Sequence, residues 1–188
     1  MLFGNGCIEE SLKINVNLDY SHVEWNKCYM IGFSRDGVKY NTDGVDENIK
    51  QEQQYLSLGM NPEASVHFNS FNASIDLSDQ LADCYYDIGY FKSPAGNNLW
   101  WHKDYYHYLL KTHNIKKRKP GSIHRTIIQL DDWERGQVFE VEDQFAVYWK
   151  RGDCFTFPED RGHGVGNFSL KDYVIMQVTW IKKSDVLE

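Results

Sequence analysis

The stretch "RTIIQLDDWERGQVFEVEDQFAVYWKRGDCFTFP", Arg125 to Pro158, decides the fold. Four short runs within it, "RTIIQL", "QVFEVED", "QFAVYW" and "DCFTFP", are rich in β-branched and aromatic residues, the composition of half-buried strands. Turn formers separate them, Arg135-Gly136 and Arg151-Gly152-Asp153. A fifth run, "YVIMQVTWI" from Tyr173 to Ile181, follows a segment punctuated by Gly162 and by Gly164-Val165-Gly166, which reads as turn. Short strands at this near-regular spacing predict a mainly β protein, a sandwich or a jelly-roll barrel.

Working outward, the first part of the chain is mixed. "LKINVNL" alternates Leu12, Ile14, Val16 and Leu18 with polar residues and predicts a strand with one wet face. "DENIKQEQQYLSLG" has helix-forming composition and stops at Gly59. "LSDQLADCYYDIGYF" reads either as a short helix capped by Ser78 or as a strand with Tyr86, Ile88 and Tyr90 on one face. A length of 188 residues without repeats or linker-like segments predicts a single domain over 1–188.

Composition narrows the function classes. No apolar run approaches the length of a membrane span, and the N-terminus lacks the basic start and apolar stretch of a signal peptide. Four widely spaced cysteines at 7, 28, 84 and 154 form no CxxC pair. Together these predict reduced thiols and a cytoplasmic location. A net charge of −7 argues against a nucleic-acid partner. The basic run Lys116 to Lys119 reads as a solvated loop.

Strand period then sorts the polar residues, because residues i and i+2 face the same side. In "LWWHKD", His102 and Asp104 share a face. In "HRTIIQL", Arg125, Ile127 and Gln129 share one, as do Tyr173, Ile175, Gln177 and Thr179 in the last run. An Arg and two Gln are costly to bury among Ile and Val unless they bind something, so these faces are either wet or line a polar pocket. A His-x-Asp triplet alone is weak evidence. Its weight comes from His163, 59 residues after Asp104 in "FPEDRGHGVGNFS". Two His and one carboxylate make a three-ligand set that leaves positions open on a metal, iron or zinc. The remaining histidines, at 22, 67, 107, 113 and 124, read as surface or hydrogen-bonded residues.

Residues 86–182 resemble the Fe(II)/2-oxoglutarate-dependent dioxygenases, in particular their prolyl- and aspartyl/asparaginyl-hydroxylase-like branches. The resemblance is carried, in chain order, by "SPAG" six residues before "HKD", then "RTIIQLDDWERGQVFEV", "YWKRGDCFTFP" and "HGVGN". It implies a double-stranded β-helix (jelly-roll, cupin-like) with N-terminal helical and strand elements. It implies His102, Asp104 and His163 as Fe(II) ligands, with 2-oxoglutarate and O2 as cosubstrates for hydroxylating a small-molecule or peptide substrate. The family's usual arginine, nine or ten residues after the distal His, is replaced by Asp172 and Tyr173, and no arginine follows Arg161. The carboxylate anchor is therefore expected at Arg125, assisted by Gln129 and Tyr173, or at Lys171. The alternative is a cupin-like barrel that binds a metal or another ligand without 2-oxoglutarate. Trp100 and Trp101 are expected to line or brace the pocket mouth.

Overall fold

The computed structural model describes residues 14, 16–29, 34–35, 38–39, 66–70, 75–104 and 106–187. Among these the chain is built almost wholly of antiparallel strands: β1 (Asn26–Tyr29), β2 (Ser34–Arg35), β3 (Val38–Lys39), β4 (Val66–Ser70), β5 (Cys84–Ser93), β6 (Asn98–His102), β7 (Lys117–Arg118), β8 (Ile123–Gln129), β9 (Gln137–Val141), β10 (Gln144–Ala146), β11 (Cys154–Pro158), β12 (His163–Asn167), β13 (Tyr173–Lys182) and β14 (Val186–Leu187). One short helix, α1 (His107–Thr112), interrupts them.

The order β11-β8-β13-β5 forms half of an eight-stranded sheet, which β4, β1, β2 and β3 extend past β5. The second sheet runs β10-β9-β12-β6. Leaving aside the short β7, the eight strands from β5 to β13 pair first with last (β5 with β13), second with seventh (β6 with β12), third with sixth (β8 with β11) and fourth with fifth (β9 with β10). That nested pairing, alternating between two sheets, defines a jelly-roll, the double-stranded β-helix.

One apolar cluster joins the two sheets. Phe91, Ile127, Phe155, Phe157, Tyr173 and Ile175 from the first meet Leu99, Phe139, Val141, Ala146 and Val165 from the second. The strands differ in pattern according to what covers them. β9 alternates buried and half-buried residues, a strand with one dry face. β13 is buried at nearly every position. Its Val174, Met176, Val178 and Trp180 face outward, where Ile14, Leu77 and Leu81 cover them, with Val16, Leu18, Tyr20, Val23 and Trp25 packed alongside.

Several expectations change. Residues 14 and 16–20 form no strand; Ile14, Val16 and Leu18 pack onto the sheet as an unpaired segment. Residues 84–93 take the strand alternative, and Ser78 starts a turn. "HGVGN" is a strand rather than a turn. "DYYHYLLKTHN", for which no element was expected, contains a helix. The helix expected over residues 46–59 lies outside the described residues. The basic run is partly engaged, as Arg118 pairs with Glu159 and Lys119 with Asp185. Among the described residues, no helix is long and apolar enough to cross a membrane.

Candidate metal centre

The register of two strands assembles the site. His102, the last residue of β6, is paired directly with His163, the first of β12. Cross-strand partners lie side by side on one face, and the two imidazole rings stand 4.4 Å apart, centroid to centroid. Asp104 lies two residues beyond the end of β6 and returns to the same face: its Oδ1 is 3.5 Å from His102 Nε2 and its Oδ2 3.2 Å from His163 Nε2. One ligand atom from each of the three lies within 4.8 Å of the others.

The glycines of β12 and its entry make this approach possible. A Cβ at Gly162 would lie 1.9 Å from Trp101 Cζ2, so the indole occupies the space a side chain would need. A Cβ at Gly164 would come within 3.2 Å of the Leu99 carbonyl oxygen. Gly162 is also held by Glu142, whose Oε1 accepts from the Gly162 N–H at 2.7 Å and whose N–H donates to the Gly162 carbonyl at 2.8 Å. Trp101 therefore braces the strand that carries His163.

Electrostatics suit a divalent metal. Burial pushes the His163 imidazole pKa down, and Asp104 only partly opposes it. Burial would also push the Asp104 carboxyl up, but Arg125 first, then His163 and the imidazole hydrogen bonds, hold it well below the usual carboxylate range. His163 Nδ1 points towards the Arg161 carbonyl at 3.5 Å, which leaves Nε2 facing the carboxylate. A neutral imidazole with its Nε2 turned inward and an ionised carboxylate are what metal ligation requires, so the donor set fits. The ring of Phe157 lies 4.9 Å from that of His163 and gives the centre an apolar floor.

The other expected residues separate into three places. Arg125 joins the cluster: its Nη1 lies 2.5 Å from Asp104 Oδ2 and donates to Gln177 Oε1 at 3.0 Å. Gln129 and Tyr173 pair with each other, Nε2 to hydroxyl at 3.0 Å. They lie beyond Ile127 and Ile175, and Gln129 is four residues along β8 from Arg125, about 13 Å at the strand rise. Lys171 is exposed and bound to Glu134 at 2.7 Å, away from the barrel interior. The structure thus brings Arg125 to His102, Asp104 and His163, and does not bring Gln129, Tyr173 or Lys171 to them.

Tyr106 went unnoticed in the sequence. Its ring lies under the Arg125 guanidinium, 5.2 Å to the centroid, and its buried hydroxyl has no hydrogen-bond partner among the described residues. Burial raises its pKa, so it stays a donor. Its position among aromatic neighbours in "KDYYHY" carried no signal of this kind. Two of the other histidines are hydrogen-bonded or packed: His113 meets the Tyr86 carbonyl and His124 stacks on Trp180.

Fold and site together define a double-stranded β-helix with a cluster of two histidines and one aspartate that could hold a metal ion. No protein-family model matches the sequence, and no curated protein matches it. Solved structures similar to the chain include a predicted oxalate decarboxylase of Thermotoga maritima, at 13% identity and a TM-score of 0.41, covering 62% of this chain and 81% of that one. A cupin domain of Bordetella pertussis Tohama I aligns at 14% identity and a TM-score of 0.39, covering 61% and 92%. A non-heme monooxygenase in complex with nickel aligns at 17% identity and a TM-score of 0.40, covering 56% and 47%. At this distance the assignment of the fold stands on the nested strand pairing itself.

Proposed function

We propose that the chain is a mononuclear non-haem Fe(II) oxygenase that uses 2-oxoglutarate to hydroxylate an organic substrate. The observation that carries this reading is the convergence of His102, Asp104 and His163 on one face of the barrel, beside a half-buried arginine. These three residues would hold the metal, which when bound activates O2 and the cosubstrate. Three protein ligands leave room on a six-coordinate ion for both. Arg125 would take the distal carboxylate of 2-oxoglutarate: its Nε is buried without a hydrogen-bond partner among the described residues, and Tyr106 offers a second donor. The apolar floor of Phe157 and Phe139 would keep bulk water from the reacting centre.

The test is an anaerobic titration with Fe(II) and 2-oxoglutarate, followed by measurement of succinate on admitting O2. The reading expects stoichiometric Fe(II), saturable 2-oxoglutarate and O2-dependent succinate. Arg125→Met is expected to weaken 2-oxoglutarate binding by about one to two powers of ten, the worth of a charge-assisted contact.

A second reading, a metal-binding barrel that does not use 2-oxoglutarate, is favoured by one observation. Arg125 Nη1 is already engaged by Asp104 and Gln177, and β13 brings no arginine of its own. Metal binding without any effect of 2-oxoglutarate on metal affinity or melting temperature would select it.

A further inference from the structure

A second carboxylate, Asp87, lies on the wall that carries Arg125. Asp87 of β5 is paired with Thr179 of β13, and Thr179 is paired on its other side with Arg125 of β8. Directly paired residues of antiparallel strands face the same side. Arg125, Thr179 and Asp87 therefore form one row across the inner wall. Phe157 of β11, the residue against His163, continues the row beyond Arg125.

Asp87 shares the one donor beside it. Its Oδ1 is 3.5 Å from His113 Nε2, but that nitrogen also lies 3.1 Å from the Tyr86 carbonyl, the better acceptor. Its Oδ2 is buried and has no hydrogen-bond partner among the described residues. The next inward position on β5 is Gly89, opposite Gln177, and carries no side chain of its own. A buried carboxylate oxygen without a donor is costly to the fold, and such costs collect where a ligand supplies the missing partner. The chain's net charge of −7 favours the approach of a cation.

We propose that Asp87 anchors a subsite for a primary alkylammonium group. The molecule presented to the metal centre is then a cationic amine, free or carried as a side chain on a polypeptide. This rests on the metal-centre reading for what the bound amine is brought to. Two interstrand steps separate the backbones of Asp87 and Arg125 by about 10 Å, a span that a short alkylammonium chain matches in length.

The test uses n-butylamine and its neutral isostere n-butanol at pH 7.5, titrated into metal-free and Ni(II)-loaded protein and followed by ligand-observed NMR. The parent is expected to favour the amine at least about tenfold. Asp87→Asn and the smaller Asp87→Ser should both abolish that preference, while Asp172→Asn, at an exposed carboxylate outside the row, should keep it. A parent without preference overturns the proposal, as does a preference that survives in a folded Asp87 variant. In the latter case Asp87 serves to fasten the end of α1 to β5. Nα-acetyl-lysine N-methylamide, run in parallel, separates the sources: tighter binding than n-butylamine assigns a polypeptide side chain, weaker binding a free amine. Ni(II) affinity is measured on the same samples. An Asp87-dependent preference in protein that binds no Ni(II) would sink the metal-centre reading and leave the subsite standing; Ni(II) binding without the preference would do the reverse.

Discussion

Arg125→Met separates two roles that a guanidinium beside a metal ligand can play. In the metal-free protein Arg125 is the counter-charge of Asp104, with Nη1 2.5 Å from Oδ2 and both side chains largely buried, at 13% and 18% exposure. Two unit charges about 4 Å apart interact by about 4 kcal/mol at an effective dielectric of about 20. Breaking a buried pair from one side costs about 3–5 kcal/mol, because the remaining charge is left without compensation. His102 and His163 stay within 3.5 Å of Asp104 and recover part of this as polar neighbours of the carboxylate. We therefore expect a loss of about 3 kcal/mol at pH 8, a fall in Tm of about 6–12 °C for a chain of this size. Methionine keeps most of the aliphatic packing, so little of the loss should come from volume. A divalent ion at the cluster would supply positive charge to the same carboxylate and would repel the guanidinium. The destabilisation should then shrink to about 1 kcal/mol in the Ni(II)-loaded protein, the residue being the lost bond to Gln177. By linkage the variant should bind Ni(II) more tightly by about 2 kcal/mol, roughly thirtyfold. Chemical denaturation with and without Ni(II), and calorimetric Ni(II) titration, measure both quantities. Equal destabilisation in the two states, or Ni(II) binding tenfold weaker than in the parent, would refute the reasoning and make Arg125 a residue that orients Asp104.

His163→Ala is expected to abolish stoichiometric Ni(II) or Mn(II) binding, measured by equilibrium dialysis, since it removes the buried imidazole of the three-ligand set. Gly162→Ala places a Cβ 1.9 Å from Trp101 Cζ2 and should cost about 1–3 kcal/mol or more; Trp101→Leu in the same chain should restore part of that stability in thermal melts. Asp87 titrates above the ordinary carboxyl value, raised chiefly by burial, with His113 opposing. The folded state then holds the proton more tightly than the unfolded chain, so this group adds stability as pH falls from neutral towards about 4. Asp87→Asn should remove that component, and the stability difference between variant and parent, read from denaturation curves at several pH values, should shift in the parent's favour as pH falls. A difference that stays constant over this window would contradict the assignment.

The jelly-roll was legible from Arg125 onward because its strands are short, β-branched and separated by glycine turns. β12 was not, for a physical reason. Its glycines and Gly162 just before it look like turn residues, yet they serve close approach, to Trp101 at Gly162 and to the Leu99 backbone at Gly164. α1 was hidden for the opposite reason: "HYLLKT" lies among aromatic residues that favour strands and has no side-chain cap to announce its start. Strand parity placed His102 and Asp104 on one side although Asp104 lies past the end of β6. Parity also placed Arg125 and Gln129 on one face but could not say which row each occupied. That depends on the register of β8 against β13 and on how the two sheets stack, which no local pattern encodes. Asp87 escaped notice because the segment around it reads equally as helix or strand, and its face is defined only once β5 pairs with β13.

The placement of Arg125 would also limit how the proposed metal and cosubstrate share this site. Its Nη1 is committed to Asp104 and Gln177, so a carboxylate arriving from the barrel interior must take the Nε edge, which is buried and free of hydrogen bonds among the described residues. In that arrangement one guanidinium bridges a metal ligand and the cosubstrate. With a metal held at the cluster, Asp104 would pair less strongly with Arg125, and the guanidinium would be freer to pair with a second carboxylate. Binding of metal and cosubstrate would then be coupled, each tightening the other by the same factor. An arginine on β13, remote from Asp104, would give no such coupling. The size of the metal's effect on 2-oxoglutarate affinity, compared between the parent and a chain in which Gln177→Met frees one more bond of Arg125, therefore reports on this bridge directly. Coupling that persists in Arg125→Met would mean that metal and cosubstrate communicate through direct chelation alone.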